Sequence, residues 1–235
     1  MIHQVVLLLM APVLLPQALY VRKSTPRLKE AAGSRNGVAG SGKYLRLLLI
    51  GDSAAAGVGA ARQSQALAGN VVNALSNSFQ LDWQLIAKTG VTTKQVNKEI
   101  TLHPKQNVDI VIVSLGVNDV TQPLSSTAWI QQQQQLITHL RDHFSCQQII
   151  LTKIPPMEKF PALPHPLRWY LGSKARAFNR KLEQWVSSQS DCEFINIEHN
   201  LGPEHMASDG FHPGPDIYQC WGEAVAQAIK SRWCK

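Results

Sequence analysis

At 235 residues, with 44% hydrophobic and 17% charged residues, the chain suits one domain with a substantial core and is unlike a disordered segment. Its formal net charge of +7 is unevenly spread: residues 1–46 carry Arg22, Lys23, Arg27, Lys29, Arg35, Lys43 and Arg46 against Glu30 alone. The remainder is nearly neutral, which argues against a nucleic-acid surface on the body and assigns the basic character to an N-terminal arm.

Residues 5–21 are almost wholly apolar, interrupted by Pro12, Pro16 and Gln17. As a helix this run spans roughly 25 Å, short of the ~30 Å hydrocarbon core. A cleavable signal peptide would carry a basic n-region and a small-x-small cleavage site, and neither is present, which leaves an uncleaved or atypical export signal and a buried packing helix as the alternatives to an anchor. With basic residues directly after it, residues 1–21 are expected to anchor to or lie in an anionic membrane surface and to add nothing to chemistry. This pattern keeps the body in the cytoplasm, with a periplasmic or secreted location as the alternative. Residues 22–43, rich in Gly, Ser and Pro, read as a basic linker, and 44–235 as the folded domain.

From Leu45 the chain alternates strand and helix. Leu45–Ile50 is apolar but for Arg46, as in a strand buried on both faces. Leu67, Val71, Leu75 and Phe79 form a helical stripe, and Asp82–Ala87 a second strand. A short helix follows with Val96 and Ile100 inward. Val108–Leu115 is the third strand, and Trp129, Leu136, Ile137, Leu140 and Phe144 mark a helix in which Gln131–Gln135 are expected to face solvent. Gln148–Ile154 and Glu193–Ile197 complete five strands, with helices around Leu171–Trp185 and Ile217–Ile229. Such alternation predicts a three-layer α/β/α sandwich with a five-stranded parallel sheet in the flavodoxin-like order 2-1-3-4-5.

In that order the loops after the first three strands converge, and the chemistry-bearing residues lie on them. The first strand ends in Gly51-Asp52-Ser53, which puts a serine at its carboxyl end. Gly57-Val58-Gly59 begins a dinucleotide fingerprint, but Arg62 occupies the third glycine position and no Gly-Lys-Ser/Thr is present, so nucleotide binding is set aside. Gly90 follows the second strand and Gly116-Val117-Asn118-Asp119 the third. An asparagine there can aim its amide at a developing oxyanion, or Asn118 and Asp119 can simply cap the next helix. Asp209-Gly210-Phe211-His212 follows the last strand, and an aspartate three residues before a histidine can fix its tautomer. His139 and His143 lack the glutamate of a zincin, and His199 and His205 lack such an aspartate. Cys146 and Cys192 precede neighbouring strands and can approach each other, although a cytoplasmic body keeps its thiols reduced. Between Pro155 and Tyr170 a proline-rich loop leaves the fourth strand; Phe160, Leu163, Leu167 and Trp169 are candidates for the wall of an acyl pocket, or for a rigid cover of the sheet end.

Together, Gly51-Asp52-Ser53, Gly90, Gly116-Val117-Asn118-Asp119 and Asp209-Gly210-Phe211-His212 resemble the SGNH/GDSL hydrolase family over about residues 45–230. The resemblance implies Ser53 as nucleophile, His212 as general base and Asp209 as its partner. It assigns the oxyanion hole to the Ser53 N–H, the Gly90 N–H and the Asn118 side chain. It also implies an ester substrate and no metal or organic cofactor. Ala54 stands where the familiar form has leucine. The basic arm favours lipid-like or short acyl esters. A carbohydrate O-acetyl esterase or acetyl transferase would use the same residues, and a membrane-tethered binding module without catalysis is the reading from a different class.

Overall fold

The computed structural model describes residues 2–197 and 202–234. Six strands form one sheet: β1 (Asn36–Ala39), β2 (Lys43–Gly51), β3 (Phe79–Ala87), β4 (Ile110–Ser114), β5 (Gln148–Thr152) and β6 (Cys192–Ile195). Their spatial order is β1-β3-β2-β4-β5-β6. The last five are parallel and follow the expected order; β1 is an additional edge strand, antiparallel to β3. Helices α1 (Ile2–Ser24), α2 (Leu67–Leu75), α3 (Thr93–Ile100), α4 (Val117–Thr121), α5 (Ser126–Phe144), α6 (Leu167–Val186) and α7 (Pro215–Trp233) cover the two faces.

Alternate residues of the central strands feed two separate cores. Leu48, Ile50, Val111 and Val113 pack with the apolar stripes of α5 and α6, whereas Leu47, Leu49, Ile110 and Ile112 pack with those of α2 and α7. Each such buried Leu, Ile or Val contributes roughly 1.5–3 kcal/mol relative to exposure. This explains why Leu47–Ile50 of β2 and Ile110–Val113 of β4 read as unbroken apolar runs. In register, Gly51 lies beside both Ala87 and Ser114, so β2, β3 and β4 end level and release their loops at one place.

Residues 25–43 differ from the expected linker. Ala31 is buried, Ala31 N–H donates to the Ala56 carbonyl (3.2 Å), and Arg35 pairs with Glu30 at 2.6 Å. β1 then closes the outer edge of β3, and Gly40 and Gly42 make its turn into β2. Turns and linkers share a composition, so Gly and Ser counts alone do not separate them. Phe79 opens β3 and does not extend the α2 stripe. Gln133 also departs from the solvated helix face expected for it. It is 1% exposed and donates to Thr93 Oγ1 (2.9 Å), whose hydroxyl donates to Asp119.

Helix α1 lies against α6. His3 is hydrogen-bonded to Ser173, Gln17 Nε2 donates to the His165 carbonyl and Gln17 Oε1 accepts from Leu167 N–H. Leu14 is buried and Val6, Leu7, Met10 and Val21 pack beside it. The opposite face carries Val5, Leu8, Leu9, Val13, Leu15, Leu19 and Tyr20, all exposed. Thus Gln17, the polar residue inside the apolar run, points at the protein together with one apolar stripe, and a second apolar stripe points away from it.

Candidate active site

The turn after β2 carries Ser53. Gly51 has no room for a Cβ, which would meet Ala55 and Ser114, and Asp52 N–H donates to the Ser114 carbonyl (3.1 Å). Chain 206–213 folds back as a small hairpin, with Ala207 N–H bonded to the His212 carbonyl (2.9 Å) and Met206 bridging Pro213. Within it, Asp209 Oδ1 accepts the N–H groups of Phe211 (2.9 Å) and His212 (3.0 Å), the geometry of an Asx turn. Gly59 sits at φ +100°, and a Cβ there would run into the Pro213 carbonyl. Its conformation lets the serine turn and the histidine hairpin touch, which is the physical use of the Gly57-Val58-Gly59 run. The Tyr218 hydroxyl on α7 secures the same turn by donating to the Val58 carbonyl at 2.7 Å.

As a result Ser53, His212 and Asp209 meet in one line. His212 Nε2 is 2.9 Å from Ser53 Oγ, and His212 Nδ1 is 2.5 Å from Asp209 Oδ2. The Asp209 carboxyl is 1% exposed. Burial alone would raise its pKa, but the His212 ring and the two backbone N–H donors outweigh burial and hold it below the ordinary value. An ionised Asp209 accepts from Nδ1–H, which leaves Nε2 as an acceptor toward the serine hydroxyl. Asp52 behaves in the opposite way: complete burial pushes its carboxyl up to about 7, only partly offset by the Ala54 N–H.

Gly90 occupies position three of a turn closed by Val91 N–H to the Lys88 carbonyl (3.4 Å), with φ +83° and open space around it. Among the described residues, neither the Ser53 nor the Gly90 N–H donates to a protein acceptor. Asn118 is close by, but its Nδ2 donates to the Val91 carbonyl (3.0 Å) and to Asp52 Oδ2 (3.2 Å). Asp119 caps a different helix from the adjacent α4, since its carboxylate accepts the Thr93 N–H at the start of α3.

A cavity of about 170 Å³ opens beside Ser53 and His212, walled by Leu115, Ile154, Phe160, Met206, Phe211 and Trp221. Of the four residues expected to form an acyl pocket, Phe160 alone lines it. Leu163 and Leu167 are buried in the core under α6, and Trp169 is 47% exposed. The rest of the wall comes from the ends of β4 and β5, the histidine hairpin and α7. These residues are distant in sequence and share no periodicity, although Phe211 lies inside the Asp-Gly-Phe-His block. His205 bonds Asp216 and lies away from the serine; His199 is outside the described residues. Among the described residues no cluster of His, Cys, Asp or Glu is arranged to hold a metal ion.

The sequence matches the GDSL-like Lipase/Acylhydrolase family over residues 49–220, most of the chain. The protein belongs to this family. It is therefore an esterase-type hydrolase of the SGNH/GDSL kind. Solved structures with the same fold include a lipolytic G-D-S-L protein from Veillonella parvula DSM 2008, at TM-score 0.63 and 12% identity, covering 80% of this chain and 98% of that one. Est24, a carbohydrate acetylesterase from Sinorhizobium meliloti, matches at TM-score 0.59 and 15% identity, covering 80% and 99%. The lipase Lip_vut3 from a goat rumen metagenome matches at TM-score 0.59 and 17% identity, covering 78% and 97%. At these identities the likeness concerns the fold. No curated protein sequence matches the chain.

Proposed function

We propose that the protein cleaves carboxylic esters with an apolar acyl group, using Ser53 as nucleophile, His212 as general base and Asp209 as the partner that orients it. The observation that carries this reading is the unbroken Asp209–His212–Ser53 hydrogen-bond line at the mouth of an apolar cavity. Ser53 Oγ attacks the ester carbonyl while its proton passes to His212 Nε2, and Asp209 stabilises the resulting imidazolium. The Ser53 and Gly90 N–H groups receive the oxyanion, and Asn118 joins them by releasing its hold on Val91 or Asp52. Collapse of the tetrahedral intermediate breaks the ester C–O bond, and His212 gives its proton to the leaving alcohol. Water repeats the cycle on the acyl-enzyme and regenerates Ser53. No metal or organic cofactor enters this scheme.

The cavity wall supports an acyl chain longer than acetyl, because Leu115, Ile154, Phe160, Met206, Phe211 and Trp221 offer apolar contact over most of it, beside a smaller polar share from Ser114, Thr152, Lys153, Lys159 and Asn196. The outward face of α1 supports a lipid-like substrate. It is continuous and apolar, and exposed Arg22, Lys23, Arg27 and Lys29 follow it, as suits an anionic leaflet. A helix docked on the body along one side lies in the leaflet, since a span would need lipid all round it. The same basic residues support a cytoplasmic body, with a periplasmic or secreted location as the alternative.

An acyl-length series of aryl esters, with lysophospholipid and an acetylated sugar in parallel, tests the substrate reading. Turnover is expected to rise from acetyl to medium chains. Activity on acetyl groups alone would move the protein to the carbohydrate O-acetyl esterases or transferases, and no turnover at all to a binding role.

A further inference from the structure

We infer that Glu30, on the arm preceding β1, is a positioning residue for the oxyanion donor at Gly90. The inference rests on the esterase reading above. Turn Lys88–Val91 holds Gly90 at φ +83°, as a type II turn requires at its third position. Types I and II differ in the orientation of the central peptide, here Thr89–Gly90, whose N–H is the donor. Rotation of that peptide turns the Gly90 N–H away from the serine, so whatever fixes Thr89 fixes the donor.

Glu30 does so with one oxygen. Its Oε1 accepts both the Thr89 N–H (2.9 Å) and the Thr89 hydroxyl (2.6 Å). The other oxygen, Oε2, pairs with Arg35 Nη2 at 2.6 Å, and Arg35 Nη1 donates to the Ala87 carbonyl at the end of β3 (2.8 Å). The bracket is anchored twice more. The Arg35 carbonyl accepts Leu85 N–H (2.7 Å), and the residue after Glu30, Ala31, donates its N–H to the Ala56 carbonyl in the serine turn. Burial pushes the Glu30 carboxyl up, but the Thr89 and Arg35 bonds outweigh it and keep it ionised. Glu30 therefore ties the turn carrying Ser53 to the turn carrying Gly90. It sets the spacing of the two backbone donors without touching substrate.

The test compares full-length wild type, Glu30→Ala and Glu30→Gln on a water-soluble aryl butyrate, with butylboronic acid as a probe whose tetrahedral adduct on serine needs the oxyanion donors. Glu30→Ala is expected to lose on the order of 10- to 100-fold in kcat and a similar factor in boronate affinity, with KM within about twofold. Glu30→Gln keeps an acceptor for Thr89 and is expected to recover at least about fivefold of the lost kcat. Should Glu30→Ala fail to fold, Thr89→Val removes the hydroxyl contact alone and is expected to lose several-fold in kcat with KM unchanged. A folded Glu30→Ala with wild-type kcat and boronate affinity, or losses confined to KM, would overturn the role of Glu30. Wild type that neither turns over the ester nor binds the boronate would instead overturn the esterase reading beneath it.

Discussion

Two aspartates near Ser53 are held in opposite states. Asp209 is kept ionised by donors that converge on it, and Asp52 is pushed up to about 7 by burial. Separated titrations of this kind let one site hold a permanent anion and a carboxyl that takes up a proton near neutrality. For Asp52 the folded state binds a proton that the unfolded chain releases from an ordinary value near 3.8. Its contribution to stability is therefore fully present below about pH 4 and is lost as pH rises to about 7, at most roughly 4 kcal/mol across that window. Urea midpoints at pH 5 and pH 8 should fall with pH in wild type and fall less in Asp52→Asn; equal slopes would contradict the burial of this charge. Ser53, Asp209 and His212 were legible in the sequence because short blocks fix their local geometry. The bonds from Asn118 to Asp52 and Val91 were not, because they join residues on separate loops.

At the scale of elements, the strands were the most legible, since burial on both faces leaves an apolar run that needs no partner to be recognised. The arm was the least. β1 has only four residues, alternating exposed and half-buried, so it carries no apolar run. Its pairing with β3 and the Glu30–Arg35 bracket make residues 25–40 part of the body. Two truncations separate this segment from α1. Loss of residues 1–24 should leave kcat on a soluble aryl ester within about threefold while abolishing sedimentation with anionic vesicles, because α1 carries the outward apolar face and supplies none of the residues lining the cavity. Loss of residues 1–40 should reduce kcat on the same soluble ester at least tenfold, since Glu30 leaves Thr89. Equal activity of the two truncated proteins would contradict a structural role for the arm.

Over the whole molecule, the body is near neutral and carries the Asp209–His212–Ser53 line, and the arm is basic with an exposed apolar face on α1. The sheet order was readable because five strands alternating with helical stripes fit a doubly wound parallel sheet. The cavity was not, since its wall is assembled from the ends of β4 and β5, the histidine hairpin and α7. The central claim is that Ser53 is the nucleophile of an ester-cleaving relay. The most direct measurement is to treat folded, full-length protein with an alkyl fluorophosphonate and locate the adduct by peptide mass spectrometry. One adduct on Ser53 is expected, absent from Ser53→Ala and at least about a thousandfold slower to form in His212→Ala. Wild type that stays unlabelled while folded, or a label on any residue other than Ser53, would contradict it.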